Sequence, residues 1–219
     1  MLCKLIYLVR EPAAAPLADP AHGAAEHCSP SPEGIIRMAV RPVRLFGDPV
    51  LWTRAEEVTD FDRQVRHLVK DLTQTLRDQR GAGLSAPQIG VGLRVFAFDV
   101  DGLRGHLINP DLAFPDDAEE EGPEGCLSFP GLYYDVRRRL NTVASGFDAD
   151  GRPVRVVGAH QLARCLQHET DHLDGVLFID RMDVPTRKRA MREIRGAAWA
   201  GLATPAVKIS PHATHGLIR

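Results

Sequence analysis

Cysteine is scarce in this chain, and its placement excludes one class of protein at once. The 219 residues hold four cysteines, Cys3, Cys28, Cys126 and Cys165, with no C-x-x-C spacing among them. Such a set is not the disulfide framework of a small secreted domain. It suits a reducing compartment, where a free thiolate can serve as a ligand. Long apolar runs are also missing: nothing approaches the roughly 20 residues that a membrane-spanning helix needs. The opening Leu5-Ile6-Tyr7-Leu8-Val9 is cut off by Arg10-Glu11 and is too short for a signal-peptide core. Charge of one sign is lacking, since 27 Lys and Arg stand against 29 Asp and Glu, a net charge of −2. The whole chain therefore carries no footprint for DNA or a membrane surface. A cytoplasmic protein is the expectation. No internal repeat is present.

What remains is an ordinary globular composition, 44% hydrophobic and 26% charged, over a length that fits one domain with some extra chain. Residues 1–37 differ from the rest. Pro12, Pro16, Pro20, Pro30 and Pro32 interrupt an Ala-rich stretch without periodicity, which reads as a disordered or non-native N-terminal extension. Met38 is the expected natural start. Residues 38–203 read as the folded domain and 204–219 as a C-terminal tail.

Within the domain, Asp60 or Asp62 can cap a helix running to about Gln79, with Val65, Leu68, Val69, Leu72 and Leu76 on one face. Strands are expected over 93–99 and 105–109, joined by an Asp101-Gly102 turn. The acidic run Asp116 to Glu121 reads as a solvated loop. Further strands are expected over Tyr133 to Arg137, Asn141 to Phe147 and Arg152 to Val157, the last two joined through Asp150-Gly151. A second helix covers 159–173. A third runs from Pro185 to about Trp199 and is basic, with Arg187, Lys188, Arg189, Arg192 and Arg195. Helix, strands, helix, helix is an α+β order: antiparallel sheets packed around a central helix, with a C-terminal helix after it.

The central helix carries Gln167-His168-Glu169-Thr170-Asp171-His172. An H-E-x-x-H pattern sets two imidazoles one turn apart on one face, so both can reach a single cation. The Glu beside the first His stands at the cation's open side. Chance produces this pattern in roughly one chain of this length in a few hundred, so a third ligand must be sought before it counts as a catalytic site. The extended pattern H-E-x-x-H-x-x-G-x-x-H fails here, because Phe178 sits where the third His belongs. Glu193 is a formal candidate on the next helix, as in a zinc endopeptidase, but ion pairs with Lys188 or Arg189 explain it more simply. Upstream, Glu124-Gly125-Cys126-Leu127-Ser128 offers a cysteine whose thiolate would grip a borderline or soft divalent metal. Cys165 instead lies on the apolar helix face, as a small buried hydrophobe does.

Three segments in order, Gly81-Ala82-Gly83-Leu84-Ser85-Ala86-Pro87-Gln88, Glu124 to Ser128, and Gln167 to Gly175, make the stretch from about Val40 to Asp183 resemble the peptide deformylases of bacteria. That resemblance implies removal of the formyl group from the N-terminal formyl-methionine of newly made polypeptides. It implies Cys126, His168 and His172 as metal ligands and Glu169 as general acid/base. It also implies Gln88 and the Leu127 N–H as carbonyl binders, with Gly83 bonding the substrate backbone. The chemistry agrees. Three protein ligands leave a fourth position for water, whose pKa the cation lowers toward neutrality. The resulting hydroxide attacks the formyl carbon, and Glu169 moves the proton to the leaving amine.

A thiolate ligand moderates the cation's acidity and fits one Fe(II) per chain as the native occupant, with Zn, Ni or Co as alternatives on purification. A tight wall would reject acetyl, and Leu84, Tyr133 and Cys165, with the ring of His168, are the expected lining for the methionine side chain. Asp171 or Asp174 are the expected supports for the two imidazoles. His67, His106 and His160 are expected to have no role. The basic third helix could make transient contact with the ribosome. A non-catalytic binding module of the same fold is the remaining rival.

Overall fold

A computed structural model of the chain describes residues Leu8–Arg10 and 40–201. The expectations for Met38 and for the C-terminal tail lie outside the described residues. Of the N-terminal extension only Leu8–Arg10 is described. It forms a three-residue strand, β1, where a structureless stretch was expected.

A 3-10 turn over Pro49–Trp52 precedes helix α1, Arg63–Gln79. Asp62 caps α1, its carboxylate accepting the N–H groups of Gln64 and Val65, which satisfies two of the donors that a helix start leaves open. Strand β2, Gly83–Ser85, and a 3-10 turn over Ala86–Ile89 follow. Then come β3 (Val95–Val100), β4 (Leu103–Ala113), β5 (Glu119–Gly125), β6 (Tyr133–Arg139), β7 (Asn141–Phe147) and β8 (Pro153–Ala159). Helix α2 spans His160–Leu173, a third 3-10 turn Phe178–Arg181, and helix α3 Val184–Gly196.

All strand pairs are antiparallel. Six strands form one sheet in the order β1-β8-β7-β4-β3-β2, and β5 with β6 forms a second. The β3–β4 turn has positive φ at both Asp101 and Gly102, the pattern whose twist matches a two-residue hairpin. The acidic run differs from its expected loop. Glu119, Glu120 and Glu121 lie in β5 opposite Arg139, Arg138 and Arg137, so opposite charges face each other across the ladder.

Helix α2 packs against β2, β3, β6, β7 and β8 and is buried from Leu162 to Leu173. A helix covered on every side belongs to an interior, and this one carries the H-E-x-x-H residues. Leu162, Cys165, Leu166 and Leu173 pack with Phe96, Phe98, Leu107 and Val156 of the large sheet. Under α1, a second apolar cluster joins Leu68, Leu72 and Leu76 to Leu84, Val95 and Ile108. A third gathers Phe129, Tyr134, Val136, Phe178 and Ile194 around β6 and α3. Each fully buried Leu or Phe contributes about 1.5–3 kcal/mol relative to exposure, so Leu166 and Leu173 anchor α2 on the large sheet. Gly175 ends it with φ +72, and a Cβ there would meet the Trp52 carbonyl at 2.7 Å. No helix among the described residues is long and apolar enough to cross a membrane.

Candidate metal centre

The ligand atoms of Cys126, His168 and His172 all lie within 4.8 Å of one another. The chain brings them together from two places. Cys126 follows the end of β5, while the two histidines share the inner face of α2. Cys126 Sγ sits 3.2 Å from His172 Nε2. His168 turns its Nδ1 to Glu124 Oε1 at 2.7 Å, which leaves Nε2 for the cluster. One thiolate and two imidazoles suit a divalent transition metal of borderline character.

The two imidazoles differ in proton affinity. Burial, followed by the charge of His168, pushes the His172 imidazole well below its ordinary value, and a neutral ring is what a cation requires. For His168, burial acts downward, but hydrogen bonds to Cys126 and Glu124 outweigh it and raise the ring's proton affinity. Burial pushes the Glu169 carboxyl up to about 7. Its Oε2 is buried and has no hydrogen-bond partner among the described residues. An unpaired buried carboxylate oxygen is costly, so this atom is a ready acceptor for a proton-bearing reactant.

A cavity of about 520 Å³ opens over the cluster. Gly83, Gln88, Cys126, Leu127, Tyr133, Cys165, His168 and Glu169 all line it. Gln88 is locked: its Oε1 accepts the Ser85 N–H at 2.9 Å and the Ser85 hydroxyl at 3.0 Å. Its Nε2 therefore points at Cys126 Sγ, 3.4 Å away, and at Ser128 Oγ, 3.2 Å away. The backbone N–H of Leu127 has no acceptor among the described residues. Gly83 lies so close to Glu169 that a Cβ would fall on its carboxylate. Cys165 is buried, and burial raises its thiol well above the ordinary value, so it stays protonated as a lining group.

Two expectations change, and one rival arrangement falls away. Leu84 does not line the cavity. It is fully buried and packs in the cluster under α1, because a strand sends alternate side chains to opposite faces and Gly83 already faces the site. Asp171 and Asp174 do not hold the imidazoles. Asp174 pairs with Arg94 at 2.7 Å, and Asp171 takes Arg138 at 2.6 Å and Arg181 at 2.5 Å. Glu193 lies by Tyr134 and outside the ligand cluster, which removes the endopeptidase arrangement. Phe178, standing where that extended pattern would put a third His, packs 6.2 Å from the His168 ring.

Sequence reasoning missed the role of Glu124. Arg138 donates to both of its oxygens, at 2.9 and 2.6 Å, and Arg164 donates to Oε2 at 3.0 Å. Burial pushes this carboxyl up, but the bonds from Arg138 and His168 outweigh it and hold it well below the usual carboxylate range. The signal available was a Glu two residues before the ligand cysteine, on a strand facing three arginines of β6.

A half-buried sulfur beside two buried imidazoles of a central helix, with a carboxylate next to them and a cavity above, fits a metal-dependent hydrolase. Comparison with known proteins narrows the class. The family model described as polypeptide deformylase matches residues 40–188. The peptide deformylase of Acidothermus cellulolyticus is 61% identical over 179 residues, 82% of this chain and 98% of that protein. Peptide deformylase 1 of Corynebacterium glutamicum is 52% identical over 166 residues, 74% of this chain and 98% of the relative. The crystal structure of a Legionella pneumophila peptide deformylase superposes with a TM-score of 0.68 at 37% identity, over 72% of this chain and 95% of that one. The chain belongs to the polypeptide deformylase family, and its reaction is hydrolysis of the N-terminal formyl group of new polypeptides.

Proposed function

We propose that Cys126, His168 and His172 hold the metal of this deformylase and that Glu169 moves the proton. The observation that carries this is the meeting of those three ligand atoms within 4.8 Å beneath a cavity that Glu169 also lines. The cation, when bound, supplies a Lewis acid that brings water toward ionisation near neutral pH and polarises the formyl carbonyl.

The rest is work for side chains. Glu169, buried with Oε2 unpaired among the described residues, takes a proton from the attacking water and passes it to the leaving amine. The oxygen of the formyl group gains charge as the carbon becomes tetrahedral. Gln88 Nε2, held at the ligand cluster by Ser85, and the Leu127 N–H donate to it. Losing one such donor costs about 100- to 1,000-fold in rate. The Gly83 backbone binds the substrate chain, and Tyr133 and Cys165 contribute to the lining for the methionine side chain. Fe(II) is the native occupant on this reading, because a thiolate donor suits a soft to borderline ion.

Formate release from formyl-Met-Ala-Ser by anaerobically purified, metal-analysed protein tests the reading. Glu169→Gln should keep one metal per chain and lose turnover, whereas Cys126→Ser should lose both. Full activity in Cys126→Ser contradicts the ligand set. A non-catalytic module predicts no formate under any metal. Helix α3 supports a second, smaller proposal. Arg187, Lys188, Arg189, Arg192 and Arg195 are all exposed on it, a surface suited to transient contact with ribosomal RNA. Cosedimentation with ribosomes should weaken as salt rises, and binding indifferent to salt would remove the idea.

A further inference from the structure

Four charged side chains line the cavity over Cys126: Arg80, Glu124, Arg164 and Glu169. Three of them are committed. Glu124 and Arg164 are buried and bonded to each other, and Glu169 lies at the floor. Arg80 is exposed at the mouth, and its guanidinium has no ion pair or hydrogen bond within the described residues.

Its position is fixed by the backbone. Arg80 is the left-handed C-cap of α1, with φ 52 and ψ 36, and its N–H bonds to the carbonyls of Leu76 and Arg77. The chain then runs through Gly81 and Ala82 into β2. On one side β2 pairs with β3, and among the described residues it is the last strand of its sheet, with no strand paired to its other edge. Gly83, on that edge, abuts Glu169. Beyond it Ser85 and Ala86 are fully buried. An extended peptide whose formyl carbon lies at Glu169 therefore leaves along β2 toward Gly81 and Arg80, not toward Ser85. Arg80 is three residues before Gly83 and left-handed, so its Cα lies at most roughly 10 Å back from that of Gly83. That spacing sets its charge beside the second to fourth residues of the substrate.

We propose that Arg80 reads substrate charge, favouring formyl-methionyl peptides with Asp or Glu among the three residues after the methionine and disfavouring Lys or Arg there. The proposal rests on the deformylase reading of the site. An exposed pair gives a modest effect, and attraction to one charge combines with repulsion of the other. The acidic-to-basic ratio of kcat/KM should be about 3- to 10-fold at low salt, falling toward 1 near 1 M salt as screening shortens the range of the field.

The test uses metal-loaded protein and formyl-Met tetrapeptides that carry Glu or Lys at the second, third or fourth position. The ratio is taken within one preparation, so metal loading and active fraction cancel. Wild-type protein should favour Glu at one or more positions, Arg80→Lys should keep that preference, Arg80→Gln should bring it to about 1, and Arg80→Glu should invert it. A wild-type ratio of 1 at every position overturns the proposal, as does an undiminished preference in Arg80→Gln. Absence of formate from any peptide, including neutral formyl-Met-Ala-Ser, is instead a failure of the deformylase reading.

Discussion

At the residue scale the account turns on closeness to Glu169. Gly83 is required because any Cβ would displace that carboxylate. Gly83→Ala should therefore lower kcat by about 100-fold, the cost of moving a reacting group by an ångström, while the metal content stays at one per chain. Steady-state kinetics with metal analysis checks both halves, and an unimpaired kcat would show that Glu169 needs no such room. Much of this was legible in the chain itself. H-E-x-x-H and the Gly-flanked Cys126 are local patterns, and the chemistry of their donors follows from residue type. Leu84 was misjudged because its neighbour Gly83 faces the cavity while strand alternation turns Leu84 itself to the core. Glu124 was passed over because its partners, Arg138, Arg164 and His168, are distant in sequence and adjacent only after folding.

At the element scale, β5, β6 and α2 are tied by a chain of charges. It runs from Arg181 through Asp171, Arg138 and Glu124 to His168. Partners that orient a metal-binding imidazole typically affect metal affinity by 10- to 100-fold. Glu124→Gln should thus speed loss of metal to a chelator by about 100-fold. Arg181→Met, further out and half exposed, should speed it by about 10-fold. Arg104→Met, which breaks the exposed pair with Asp99, should leave it unchanged. Equal rates in all three would disprove the link. Strand β4 makes a separate prediction. His106 Nε2 accepts the Ala149 N–H at 3.0 Å, which needs a neutral ring. Burial lowers its pKa from 6.5 against the opposing charges of Asp148 and Asp150. A folded pKa below the unfolded one means the contribution is whole above about 6.5 and is lost as pH falls from there through the folded value. Between pH 7.5 and pH 5.5, wild-type protein should lose more stability in urea than His106→Ala, by about 1 kcal/mol, the worth of the bond. Identical pH slopes would contradict this. The acidic run belongs to the same scale. Glu119 to Glu121 looked solvated because sequence shows only like charges side by side, whereas the neutralising arginines come from β6.

At the scale of the whole molecule, strands of two sheets among the described residues pack on one helix, and the histidines of that helix meet a sulfur that follows β5. A cation that joins them ties β5 to α2 in the folded state alone. Metal binding should accordingly raise Tm, with a stabilisation of about 4 kcal/mol when free metal exceeds Kd by 1,000-fold, and Cys126→Ser should lose that response in calorimetry. The order of helices and strands was readable from periodicity and turn residues, but the pairing of β5 with β6, and the wrap of both sheets around α2, depend on contacts that no window of sequence contains. The central claim is that one ion is bound by one sulfur and two imidazoles. X-ray absorption on the zinc-loaded protein tests it most directly. The account predicts one sulfur at about 2.3 Å and two imidazole nitrogens at about 2.0–2.1 Å; a shell with no sulfur would contradict it.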